Sequence, residues 1–189
     1  MTISMYRKIC VTNRHLAQGD FLRQIERVTA AKPTALILRE KDLTQEAYEE
    51  LAVQVLAICR EADVACYFHS QPQLAVKLNA QGIHLPLKMA ASMSCEDRMR
   101  LPCLGISVHS KKEAVEAQKM GAAYIIYGHI FATDCKKGVP PRGLAMLRSI
   151  CGSVSVPVYA IGGINEENAW QCIVAGAYGV CMMSKYMEL

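Results

Sequence analysis

The run Ala122-Ala123-Tyr124-Ile125-Ile126 is short, apolar and rich in β-branched residues, and it reads as a buried strand. It leads into Tyr127-Gly128-His129-Ile130-Phe131-Ala132-Thr133-Asp134-Cys135-Lys136-Lys137-Gly138-Val139-Pro140-Pro141-Arg142-Gly143. After that loop, Leu144-Ala145-Met146-Leu147-Arg148-Ser149-Ile150 has the spacing of an amphipathic helix. Strand, loop and helix in that order make a βα unit with its chemistry at the strand's C-terminal end. Connections in compact domains have a median of about 4–6 residues, and longer ones are usually functional or disordered. The titratable and nucleophilic groups in this one favour function.

The same alternation extends to both sides. Upstream, strands are expected at Lys8–Thr12, Ala35–Leu38, Val64–Phe68, Gly82–Leu85 and Leu104–Val108. Between them, Asp20 caps a helix at Phe21–Val28, Thr44 caps a long helix to about Glu61, and Pro72 opens a short one to about Asn79. Ser110-Lys111-Lys112-Glu113 is a capping box, and Gly121 ends the helix it opens. The Met-rich segment after Pro86 carries no clear period. Downstream, Val156–Ile161 and Tyr178–Met182 complete eight strands, with Asn165 capping a helix to about Ala175. Eight βα units predict a compact TIM barrel in one domain over residues 1–189, its final helix missing or a stub. A doubly wound open sheet is the alternative.

Composition narrows the classes. The chain is 52% hydrophobic and 20% charged with a net charge of +4, and its Lys and Arg residues are scattered rather than gathered on one face. That argues against nucleic acid and leaves room for a small anionic ligand. Nine cysteines, an odd number with no C-x-x-C pair, fit neither a zinc site nor a disulfide framework and suggest a reducing, cytoplasmic setting. Met1 to Cys10 shows no signal-peptide h-region, and no apolar run approaches the ~20 residues that span a bilayer. No metal or cofactor is expected. A shortened last helix would leave apolar wall for a second copy, so a homodimer stays open.

A barrel places reactive groups at strand C-termini and a phosphate site after strands seven and eight. Gly162-Gly163 ends the seventh strand and Met183-Ser184 follows the eighth, giving backbone N–H donors and a hydroxyl. Arg39 and Lys41 flank Glu40 at the end of the second strand, where they would either clamp an anion or form a structural ion-pair cluster.

Taken together, Leu38-Arg39-Glu40-Lys41, Gly82-Ile83-His84-Leu85, Gly105-Ile106-Ser107-Val108-His109-Ser110, the Gly128–Gly138 loop and Ala160-Ile161-Gly162-Gly163-Ile164 resemble the thiamine phosphate synthase superfamily over essentially the whole chain. The loop itself resembles the TenI branch, the thiazole tautomerases. That resemblance implies an isomerase of thiamine biosynthesis, aromatising a carboxythiazole phosphate by proton transfer, with no cofactor. His129 matches the catalytic His of that branch, and His is the side chain that titrates near neutral pH. Lys136, Ser107 and Thr133 match substrate-contacting positions, while Arg39 and Lys41 would hold the substrate carboxylate. Cys135 is the nearest rival for the proton, and His69 could line the site.

A synthase couples a pyrimidine diphosphate to a thiazole phosphate and uses Mg²⁺ on the diphosphate. The resemblance puts an Asn-Asp pair after strand three and an Asp after strand four; here His69-Ser70 and Met89 stand there, and Ile37 replaces a pyrimidine-contacting Gln. On these residues the coupling reaction is expected to be lost. A thiamine phosphate synthase-like transferase and a non-catalytic, TenI-type binder of a phosphate ligand remain as alternatives.

Overall fold

The computed structural model describes residues 6–136 and 138–189. Met1 to Met5 of the N-terminal reading and Lys137 of the loop lie outside the described residues. Eight parallel strands close into a barrel in sequence order, with the last paired to the first. They are β1 (Arg7–Val11), β2 (Ala35–Leu38), β3 (Ala65–His69), β4 (Gly82–Pro86), β5 (Cys103–Val108), β6 (Tyr124–Gly128), β7 (Val158–Ile161) and β8 (Gly179–Met182). Helices wrap the outside: α1 (Phe21–Ala30), α2 (Gln45–Glu61), α3 (Pro72–Lys77), α4 (Leu87–Ser92), α5 (Cys95–Met99), α6 (Lys111–Lys119), α7 (Gly143–Cys151), α8 (Ala169–Val174) and α9 (Ser184–Met187). This is the TIM barrel, and the expected final stub is the four-residue α9.

The helix starts follow from the sequence. Asp20, Thr44 and Ser110 accept from the backbone N–H groups of Arg23, Ala47 and Glu113, which otherwise lack partners in a first turn. The second arm of the capping box differs, because the Glu113 carboxylate takes the N–H of His109 rather than that of Ser110. Asn165 does not cap α8 directly. It accepts from Glu167 N and Asn168 N in a local turn, and the helix opens four residues later at Ala169. Two helices escape sequence reading: α4 and α5 are five or six residues long, too short to show a period. Pro86 is the last residue of β4, still paired with Ser107, and α4 starts at the next residue.

Two apolar layers result. Outside the barrel, strand residues such as Leu36, Leu38, Phe68, Ile83, Leu85 and Ile106 pack against the helices. Inside it, Ile9, Val11, Ile37, Tyr124, Ile126, Tyr159 and Cys181 fill the bore, with Tyr67 packed against them. The inner layer depends on glycine. Tyr67, Tyr124 and Tyr159 are each in register with a glycine on an adjacent strand: Gly82, Gly105 and Gly179. Each ring lies over that glycine so closely that an added Cβ would sit 2.1 to 2.6 Å from it. Bulky rings thus close a narrow bore because the facing positions carry no side chain.

That packing is testable. Gly105→Ala drives a Cβ to 2.1 Å from the Tyr124 ring, while Gly152→Ala, at ordinary negative φ, meets nothing closer than 3.5 Å. Urea unfolding should show the first destabilised by about 1–3 kcal/mol and the second neutral or slightly stabilised. Equal stability of the two variants would refute the ring-over-glycine account.

Candidate functional site

The strand C-termini surround a cavity of about 560 Å³. A second cavity, of about 520 Å³, lies beside β1 and β8 at Tyr6, Lys8, Glu166 and Met182 and does not gather the C-terminal ends of the other strands. The mouth brings together every site residue expected from sequence: Arg39, Lys41, Ser107, His129, Thr133, Lys136, Gly162, Gly163, Met183 and Ser184 all line it. His69 lines it, as the sequence allowed, together with His84 and His109; Asp134, Asn165 and Lys185 line it too and were not assigned there. Lys185 is adjacent to Ser184, and a signal for it lay in its place after strand eight.

The end of β2 decides what the neighbouring cations do. Glu40 points away from Arg39 and Lys41 and is 4% exposed. Its carboxylate accepts from the Thr12 hydroxyl at 2.6 Å and from Arg14 N at 3.0 and 3.1 Å, and pairs with the Arg14 guanidinium at 3.3 Å. Thr12 Oγ1 in turn accepts from Arg39 N at 2.9 Å. Arg14 extends the network to Asp42, holding that carboxyl well below the usual range. The ion-pair cluster suspected around Glu40 is therefore built with Arg14, and among the described residues Arg39 and Lys41 have no ion-pair partner. Partial burial, then the charges of Arg39 and Lys136, lower the Lys41 pKa. The three cations thus converge from the ends of β2 and β6.

Between the mouth and the plugged bore runs a polar chain. His84 is 3% exposed; its Nε2 is 2.7 Å from Ser107 Oγ and its Nδ1 3.2 Å from the Tyr124 hydroxyl. His69 packs its ring 6.0 Å from that of His84, and its Nδ1 is 2.9 Å from Ser70 Oγ. Burial, followed by the charges of Arg39 and Lys41, lowers the His69 pKa to about 4. Burial, followed by His69, lowers that of His84 to about 3. Both rings are neutral at physiological pH.

The loop after β6 folds back over β7. Ile130 N and Phe131 N donate to the carbonyls of Ile161 and Gly162, each at 3.0 Å. Gly162 and Gly163 both have positive φ. A Cβ on Gly162 would meet His129 Cβ at 2.2 Å, and one on Gly163 would meet the Ala132 carbonyl at 2.3 Å. The two glycines thus serve loop packing as well as any ligand. Among the described residues, the N–H groups of Gly163 and Ile164 find no internal acceptor and remain available at the mouth. His129 is 4% exposed, and its Nε2 donates to the Val139 carbonyl at 3.2 Å across the loop. Among the described residues its buried Nδ1 has no partner. Cys135 is exposed at the rim, where its N–H donates to Thr133 Oγ1 at 3.4 Å.

The comparisons with known proteins agree with this architecture. A family model described as "Thiamine monophosphate synthase" matches residues 9–186. A "Thiamine-phosphate synthase" from Clostridium novyi is 30% identical, covering 97% of this chain and 91% of its own. Another, from Clostridium acetobutylicum, is 32% identical over 95% of this chain and 86% of its own. The solved structure of a "Thiamine phosphate pyrophosphorylase" from Pyrococcus furiosus superposes with a TM-score of 0.84 at 29% identity, covering 97% of this chain and 88% of that one. The superfamily expected from sequence is found, and with it a place in thiamine biosynthesis. The isomerase expectation is corrected: these relatives carry the name of a synthase, a transferase, and not of an isomerase. Among the described residues no helix is long and apolar enough to cross a membrane.

The neutral, buried His84 predicts a pH dependence of stability. In the unfolded chain it takes up a proton near pH 6.5, but in the fold only near pH 3. Below pH 6.5 the unfolded state binds more protons, so stability falls as the pH drops. From pH 6.5 to 5 the loss attributable to this ring is about 1–2 kcal/mol. His84→Asn should flatten the slope of unfolding free energy against pH in that window; an unchanged slope would remove His84 as its source.

Proposed function

The chain belongs to the thiamine monophosphate synthase family, and from that premise we propose that it is a transferase of the synthase type. It joins a phosphorylated thiazole to a pyrimidine carrying a methylene diphosphate. The carrying observation is that one cavity has two anion-accepting walls. On the β7–β8 side are the free N–H groups of the Gly163-Ile164 turn with Met183 and Ser184. On the β2–β6 side stand Arg39, Lys41 and Lys136. A ligand with a single anionic group would need only one.

In this reading the thiazole phosphate sits against Gly162, Gly163, Met183 and Ser184, while the diphosphate faces the cations. The thiazole nitrogen attacks the methylene carbon with its lone pair. The C–N bond forms as the C–O bond breaks, and the diphosphate leaves with the electron pair. No proton changes hands in that substitution. The contributions of the protein are orientation of two bound reactants and fixed positive charge where the leaving group gathers negative charge. Ser107, set by His84, and Thr133 offer hydroxyls between the two walls, and Ile37 gives the floor an apolar face. His129 then needs no acid–base step. Its tie to Val139 holds the loop that carries Lys136.

A second reading, a binder of the same phosphate ligand without turnover, is favoured by Ser70 and Met89 at positions where the family resemblance places carboxylates. Incubation with both substrates and Mg²⁺ separates the two. Thiamine phosphate and diphosphate should form in equal amounts, and Arg39→Ala should lower kcat/KM by about 10²-fold or more. Ser184→Ala should raise KM for the thiazole phosphate with a smaller effect on kcat. Absence of product at saturating substrates would defeat the transferase in favour of the binder.

A further inference from the structure

Synthase chemistry of this kind carries an expectation of Mg²⁺ on the diphosphate, so the fit of this mouth to that ion can be examined residue by residue. Mg²⁺ is a hard cation that binds through carboxylates, phosphates and water. Among the described residues whose side chains line the mouth, Asp134 alone is a carboxylate, against Arg39, Lys41, Lys136 and Lys185. Glu40, next along the chain, is buried and committed to Thr12 and Arg14. After β3 stands Ser70, its hydroxyl 2.9 Å from His69 Nδ1. After β4 the chain passes straight into α4, which brings Lys88 and Met89 rather than an acid. No cluster of three or more His, Cys, Asp or Glu able to hold a metal occurs among the described residues. The donor set does not fit Mg²⁺.

We infer that this site, on the transferase reading above, takes the diphosphate end of its substrate without a divalent cation, using Arg39, Lys41 and Lys136 in place of the metal. Arg39 supplies a planar fork that can hold two phosphate oxygens at once, and the two lysines supply point charges. The cations crowd one another in the absence of a ligand: Arg39 and Lys136 both disfavour the charged form of Lys41. An anion with several charges relieves that repulsion; a further cation entering with it restores it. Neutral His69, facing Arg39 and Lys41, adds a polar wall without adding charge.

The test is binding of inorganic pyrophosphate to the full chain by calorimetry, once in EDTA and once in Mg²⁺. The expected result is binding in EDTA that Mg²⁺ leaves unchanged or weakens, because the metal competes for the same oxygens. Arg39→Gln and Lys41→Gln should each weaken it by about tenfold or more, the scale of a charge-assisted contact. Lys112→Gln, on the exposed face of α6, should not. Ser70→Asp should convert the site. Ser70 has φ +59, which Asp tolerates well, and the new carboxylate should weaken pyrophosphate in EDTA and make Mg²⁺ tighten it. No binding in EDTA, or wild-type binding tightened about tenfold by Mg²⁺, would overturn the inference. Failure of the transferase reading looks different: pyrophosphate binds in EDTA, yet no thiamine phosphate forms under either condition.

Discussion

The bore of the barrel is closed by three tyrosines, and much of the site depends on that closure. Tyr67, Tyr124 and Tyr159 fit across the interior because Gly82, Gly105 and Gly179 face them. Their centroids are 5.9 and 5.8 Å apart along the series, so the plug is one contiguous aromatic layer. It packs in one inner cluster with Val11, Ile37, Ile126 and Cys181, the apolar side chains that line the mouth. It is also wired to the mouth, since the Tyr124 hydroxyl meets His84, and His84 meets Ser107. A neutral imidazole has one donor and one acceptor nitrogen, so the Tyr124 contact constrains what Ser107 can offer a ligand. Packing in the core and hydrogen-bond polarity at the rim are the same arrangement seen from two ends.

A second constraint acts at the junction of β1 and β2. Buried Glu40 gathers the Thr12 hydroxyl, the Arg14 amide and the Arg14 guanidinium, which ties the two strand ends together. A buried carboxylate is tolerated only with such a full set of partners. With its oxygens occupied inside the wall, Glu40 is not the counter-charge of the flanking Arg39 and Lys41, which face the mouth. The positive character of the site is therefore a consequence of where this one acid is spent.

Those arrangements mark the limit of what the sequence disclosed. Eight strands were legible because each is a short apolar run bounded by a cap, a glycine or a proline, and Ala35–Leu38 emerges with the bounds expected. Site residues were legible because a barrel puts strand C-termini in one place. What stayed hidden was non-local: that Glu40 would choose Arg14, 26 residues away, over its own neighbours, or that Tyr124 would touch His84 across 40 residues. The short α4 and α5 were hidden for lack of period. The isomerase reading leaned on the His129 loop as chemistry. In the fold that ring packs beside Gly162, holds the Val139 carbonyl and still lines the mouth, contacts that a sequence pattern does not disclose.

The β6 loop and the β7 turn are consequently one mechanical piece. Ile130 and Phe131 donate to Ile161 and Gly162, Arg142 N donates back to the His129 carbonyl at 2.9 Å, and the Arg142 guanidinium reaches the His109 carbonyl at 2.8 Å. One edge of this piece carries Lys136 and the other carries the free N–H groups of Gly163 and Ile164. Lys136 and the Gly163-Ile164 turn are therefore held in place by one set of backbone bonds. A branched side chain at Gly163 would strike the Ala132 carbonyl before it met any ligand, so lost phosphate affinity in such a variant would report the loop as much as the phosphate site. Substitutions that leave the backbone in place, at Ser184 for one wall and Arg39 for the other, separate the two contributions because neither side chain takes part in seating the loop.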